Sequence, residues 1–182
     1  KRISSFELRK AIESAIGVKL GAPEYYRKGK MTLMECGIRP SLKVSYAIAT
    51  QGGSKSEVSG DSAICFESKR GCFYSLISDG MGSGGRAAVD SAMVSGLFCR
   101  MLRSGFGYDC ALKIINSSML FKSTDESLAT IDIASIDLHT GTLELYKAGA
   151  APTIVRRSGK TGKAESTSLP VGILRDVSLD KA

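Results

Sequence analysis

The 182-residue chain is 43% hydrophobic, carries a formal net charge of +7 and has five cysteines and one histidine. That is apolar material for a single core of ordinary size. No apolar run approaches the roughly 18 residues of a membrane span, and the opening Lys1-Arg2-Ile3-Ser4 shows no secretory pattern. The cysteines (Cys36, Cys65, Cys72, Cys99 and Cys110) form no C-x-x-C pair. This argues against a zinc site or a disulfide framework and for a reducing, cytoplasmic compartment. With His139 alone, Ser-His-Asp or Cys-His machinery has little to draw on.

The charge is uneven. Residues 1–43 hold ten Lys/Arg against four Asp/Glu, and the other residues hold fifteen against fourteen. The basic segment reads as a solvated face or as a surface for an acidic partner. Few aromatics interleave its charges, so nucleic-acid binding is not expected.

Ser4 to Glu7 has capping-box spacing, Phe6, Ile12, Ala15 and Ile16 recur at roughly helical intervals, and Gly17 can stop the helix. A loop over 21–29 precedes a strand over 31–36. Alternation over 43–50 predicts another strand. A polar loop, 51–59, leads to strands at 62–67 and 72–78, joined by a turn at Ser68-Lys69-Arg70-Gly71. A helix is predicted over 85–103 with Val89, Met93, Leu97 and Met101 as its apolar stripe, then a second over 110–121 capped by Asp109. Strands follow at 128–138 and 142–147 around His139-Thr140-Gly141. Shorter ones are predicted at 152–157, 163–167 and 171–174. Strands, two helices, then strands again indicate an α+β class with helices packed on an antiparallel sheet.

The most informative stretch is Ser78-Asp79-Gly80-Met81-Gly82-Ser83-Gly84-Gly85, which follows a strand and opens a helix. Its glycines satisfy G-x-G-x-x-G. A dinucleotide site nevertheless fits poorly: the helix is followed by a second helix rather than a parallel strand, and Asp79 would repel a pyrophosphate at the helix N-terminus. A metal ligand fits better. A carboxylate at a strand end, followed by glycine, can share a hard divalent cation with the Gly80 carbonyl. Asp61, in Ser59-Gly60-Asp61-Ser62, stands at the start of the neighbouring hairpin strand. If the two strands pair through the turn at 68–71, Asp61 and Asp79 converge at one edge of the sheet. Each alone also reads as a turn or cap aspartate.

These residues resemble the PPM-type, protein-phosphatase-2C-like serine phosphatases, and within them the stage II sporulation protein E family. The resemblance rests on Val58-Ser59-Gly60-Asp61-Ser62 and Ile77-Ser78-Asp79-Gly80-Met81-Gly82-Ser83-Gly84. It continues through Ser123-Thr124-Asp125-Glu126, Thr130-Ile131-Asp132, Ile136-Asp137-Leu138, Lys147-Ala148-Gly149 with Pro152, and Leu169-Pro170-Val171-Gly172-Ile173. It covers residues 44–175 and leaves 1–43 as an accessory segment before a catalytic core at 44–182. It implies an α-β-β-α sandwich with antiparallel sheets and a site for two manganese or magnesium ions. By the same resemblance Asp79 bridges both ions, while Asp61 and the Gly80 carbonyl serve one of them. Asp61 and Asp79 are then the catalytic residues, and a metal-activated water attacks a phosphoserine. The implied partner is a phosphorylated anti-sigma-factor antagonist in sporulation control, with a homodimer as one route of regulation and upstream membrane segments in the full-length protein. The family pattern continues past Ile173 to another Ser-Asp-Gly and a further metal-binding aspartate. Asp176 and Asp180 lack that glycine context, so the chain is expected to be inactive or weakly active alone. The competing expectation is a catalytically incomplete regulatory domain of the same fold.

Overall fold

The computed structural model describes residues 4–52, 58–122 and 127–182. Helix α1 (Ser5–Ile16) starts as its sequence demands. The Ser4 hydroxyl accepts the Glu7 amide at 3.2 Å, and the Glu7 carboxylate accepts the Ser4 amide at 2.9 Å. Gly17 closes the helix, yet none of its residues is buried. Strands β1 (Glu24–Lys28) and β2 (Met31–Glu35) form an antiparallel hairpin. Residues 24–28, expected in a loop, are thus a strand, because the Gly29-Lys30 turn folds them onto the strand predicted beside them.

The core is built from strands β3 (Asp61–Glu67) and β4 (Cys72–Asp79), helices α2 (Gly85–Arg103) and α3 (Tyr108–Lys122), and strands β5 (Ile131–Asp137) and β6 (Leu143–Ala148). A separate hairpin, β7 (Thr153–Arg157) with β8 (Lys160–Ala164), precedes the short β9 (Asp180–Lys181). The main sheet runs β3-β4-β5-β6-β9 and is antiparallel throughout. Helices α2 and α3 cover one face of it. Phe66, Leu76, Ile131, Ile133 and Ala148 meet Val94, Phe98, Leu112, Ile115 and Met119 there, in one cluster of buried side chains. The mixed, antiparallel α+β expectation holds.

Helix α2 is rotated from its predicted stripe. Its buried residues include Ala87, Ser91, Val94, Ser95 and Phe98, whereas Val89 is 57% exposed. Small residues let the helix lie close on the sheet, and the Ser95 hydroxyl meets that of Ser62 at 2.7 Å. A stripe of the largest apolar residues misses such an approach. Asp109 lies inside the first turn of α3 rather than capping it.

Two expected strands do not form. Residues 43–50 alternate, but no described strand offers them a ladder partner; the Tyr46 ring instead covers Phe73, centroids 5.5 Å apart. Residues 171–174 make one bridge, Val171 to Ala129. Asn116 takes part of the main chain there, accepting the Gly172 amide at 2.9 Å and donating to the carbonyls of Leu174 and the following Arg175. The strand expected at 163–167 sits earlier, as β8, because residues 166–168 serve another carboxylate. Asp180 accepts from the amides of Thr167 and Ser168 and from the hydroxyls of Ser166, Thr167 and Ser168. These donors, led by the Ser168 amide, hold its carboxyl far below the usual range.

Candidate metal centre

The hairpin register pairs Asp61 directly with Asp79. The turn explains why: Ser68 and Cys72 close the β3–β4 loop through a 2.8 Å hydrogen bond, and Gly71 supplies the positive φ of 74° that the reversal requires. From that fixed point the period-two pleat carries both aspartates to the face away from α2 and α3. The Asp79 carbonyl accepts the Thr130 amide on the β5 side at 2.8 Å, and the Asp79 amide donates to the Thr130 hydroxyl at 2.9 Å. Both Asp79 main-chain groups therefore point away from β3. Asp61 and Asp79 form a non-hydrogen-bonded pair, the kind in which opposing side chains come closest.

The electrostatics follow from this pairing. Partial burial and, after it, the facing Asp61 push the Asp79 carboxyl above its ordinary value. Asp61 is oriented from its own loop: the Ser59 hydroxyl donates to its carboxylate at 3.1 Å and accepts its amide at 3.2 Å. The Gly80 amide donates to the Gly60 carbonyl and the Met81 amide to the Leu128 carbonyl, so the start of the glycine loop is fixed by main-chain bonds on both sides.

Gly60 and Gly80 make room for this. A Cβ on Gly60 would lie 3.1 Å from the Ala87 Cβ, 3.4 Å from the Gly80 carbonyl oxygen and 3.9 Å from Asp79 Oδ1, so these two oxygens border the small cradle that Gly60 leaves open. A Cβ on Gly80 would lie 2.7 Å from the Ala87 carbonyl carbon, inside the backbone of α2. Gly80→Ala is therefore expected to destabilise the chain by about 3 kcal/mol, at the upper end for overpacking because backbone must move. A urea unfolding midpoint close to that of the native chain would refute this.

Two facing carboxylates and a nearby carbonyl are all-oxygen donors, the set a hard divalent cation takes. Among the described residues no third His, Cys, Asp or Glu joins them. Asp132, on the same face of β5, is otherwise engaged: Lys147 pairs with it at 2.6 Å, and Thr153 bridges both groups. Neither Asp176 nor Asp180 belongs to the pair, and Asp180 is committed to residues 166–168. The motif at 123–126 lies outside the described residues. Sequence reasoning gave no role to the Thr130 hydroxyl or to the Asp132–Lys147–Thr153 cluster. Thr130 belongs to the Thr130-Ile131-Asp132 motif, but nothing in its spacing announces a contact with the Asp79 amide 51 residues away.

Residues 69–182 match the family described as stage II sporulation protein E, SpoIIE. That is well over half of the chain. The chain belongs to the SpoIIE family. Stage II sporulation protein E from Priestia megaterium is 36% identical over 134 residues, 74% of this chain and 23% of that protein. The Bacillus subtilis (strain 168) SpoIIE is 33% identical over 144 residues, 79% of this chain and 17% of that protein. The chain thus spans about a quarter or less of the curated SpoIIE proteins it matches. Among solved structures, the PP2C phosphatase domain with a fragment of the regulatory domain of the cell fate determinant SpoIIE from Bacillus subtilis superposes with a TM-score of 0.69 at 28% identity. The match covers 99% of this chain and 55% of that one. No described helix is long and apolar enough to cross a membrane.

Proposed function

We propose that this SpoIIE-family chain is the catalytic part of a metal-dependent protein serine phosphatase that acts on a phosphorylated regulatory protein of the anti-sigma-factor antagonist type. The observation that carries this reading is the direct pairing of Asp61 with Asp79 beside the Gly80 carbonyl. Likeness to a PP2C phosphatase domain supports it. Asp61, Asp79 and the Gly80 carbonyl are the groups that would hold manganese or magnesium. A metal held there would supply positive charge for phosphoryl oxygens and would acidify a water enough for it to act as nucleophile near neutral pH.

The chain's own contribution is orientation. The β3–β4 register keeps the two carboxylates opposed, Ser59 aims Asp61, and the zipped glycine loop holds the Gly80 carbonyl toward the same cradle. Residues 1–43 act as an accessory segment before a core at 44–182. The exposure of α1 and of the β1–β2 hairpin supports that division. Free thiols at all five cysteines agree with a cytoplasmic location.

The test is manganese-dependent release of phosphate from a phosphoserine protein by the natural protein that contains this segment. Asp79→Asn is expected to lower turnover by roughly a hundred-fold or more, the scale on which a missing metal-activated water is felt. Full turnover by that variant, or native turnover in excess chelator, would refute the proposal. A folded natural protein with no turnover in either metal would favour a regulatory domain instead.

A further inference from the structure

We propose that Thr130 is a positioning residue for the metal centre: its side-chain hydroxyl stands in for its own main-chain carbonyl in the sheet and so sets the direction of Asp79. The inference rests on the metal reading of the Asp61–Asp79 pair. In the β4–β5 ladder, Ile77 opposes Asp132, and continuing the register brings Asp79 opposite Thr130. A regular antiparallel pair at that position would exchange two main-chain bonds. One of them is present, Thr130 N–H to the Asp79 carbonyl at 2.8 Å. The other is replaced, because the Asp79 N–H donates at 2.9 Å to Thr130 Oγ1.

That replacement has a structural consequence. Regular pairing is interrupted at this one bond and then continues in the same register, through the Gly80–Ala129 bridge and the Met81 N–H donating to the Leu128 carbonyl at 2.9 Å. The hydroxyl keeps the Asp79 amide paired where the regular main-chain bond is missing. It therefore fixes the peptide plane between Ser78 and Asp79 at that interruption of the ladder. The Asp79 side chain and the following Gly80 carbonyl take their directions from that backbone. No other side chain bonds the Asp79 main chain among the described hydrogen bonds. Valine has the same shape without the acceptor; serine keeps the acceptor and loses only the methyl group.

The experiment measures Mn2+ affinity of the 182-residue chain by electron paramagnetic resonance of free Mn2+. Asp79 amide hydrogen exchange is followed in the same metal-free samples. Thr130→Val is expected to bind Mn2+ roughly ten-fold more weakly, as when an outer hydrogen bond to a ligand is removed. Its Asp79 amide should also exchange faster. Thr130→Ser should restore both values toward the native ones, an outcome that a general loss of packing at position 130 would not give. If Thr130→Val exchanges faster but binds Mn2+ like the native chain, while Asp79→Asn abolishes binding, the positioning role is overturned and the metal reading stands. If the native chain and Asp79→Asn bind Mn2+ alike, the metal reading fails and the inference with it.

Discussion

Asp79→Asn is expected to stabilise the metal-free chain at neutral pH and to abolish its stabilisation by Mn2+. In the folded chain the Asp79 carboxyl is raised by burial and by the facing Asp61. The folded state therefore holds its proton to higher pH than the unfolded state does. Between the unfolded value near 4 and the raised folded value, the native state binds more protons, so stability falls as pH rises through that window and then stays level. Asparagine has no such titration and no charge to oppose Asp61, so its stability should lack this decline. A cation reverses the sign for the native chain alone, by offsetting both charges. At a hundred-fold excess over its dissociation constant it contributes about 2.7 kcal/mol, or roughly 5–10 °C in melting temperature for a chain of this length. Melting curves across pH 4–8, with and without Mn2+, check both halves. Equal Mn2+ shifts in the native chain and the variant would contradict the assignment.

The second large effect is expected at Lys147. Its side chain is 1% exposed and pairs at 2.6 Å with Asp132, which is 19% exposed. Thr153 accepts from Lys147 at 2.7 Å and donates to Asp132 at 2.8 Å, so the three side chains join β5 and β6 to the β7–β8 hairpin. A lysine this deep persists because it is paired. Lys147→Ala removes the cation and leaves the Asp132 charge largely enclosed, an imbalance that costs about 3–5 kcal/mol where buried pairs are broken on one side. Adding Asp132→Asn should recover part of that loss by removing the stranded charge. Urea unfolding of the native, single and double variants gives the comparison. A Lys147→Ala midpoint near the native one would show the cluster to be a weak surface contact.

The Asp61–Asp79 pairing was legible because it is local. Period-two alternation and a four-residue turn are enough to place Asp61 beside Asp79, and a capping box with a closing glycine is enough to start and stop α1. What was not legible depends on approach between distant segments. The α2 stripe was misread because Ala87, Ser91 and Ser95 are chosen for smallness, so the helix turns its small side to the sheet and leaves Val89 outside. Residues 171–174 look like a strand until Asn116 takes their main-chain groups. The alternation at 43–50 is real, but a strand also needs an edge to pair with. The Thr130 hydroxyl acts across 51 positions on a main-chain amide, a contact that no residue type or spacing encodes.

The most direct test of the Asp61–Asp79 centre is a Mn2+ titration followed by amide NMR of the 182-residue chain, because a paramagnetic ion broadens signals according to their distance from it. The amides of residues 60–62 and 79–81 should broaden first, at substoichiometric Mn2+, and Asp79→Asn should leave them sharp. Broadening centred instead on Asp132, on Asp180 or on the exposed acidic side chains of residues 4–35, with residues 60–62 and 79–81 unaffected, would contradict the account.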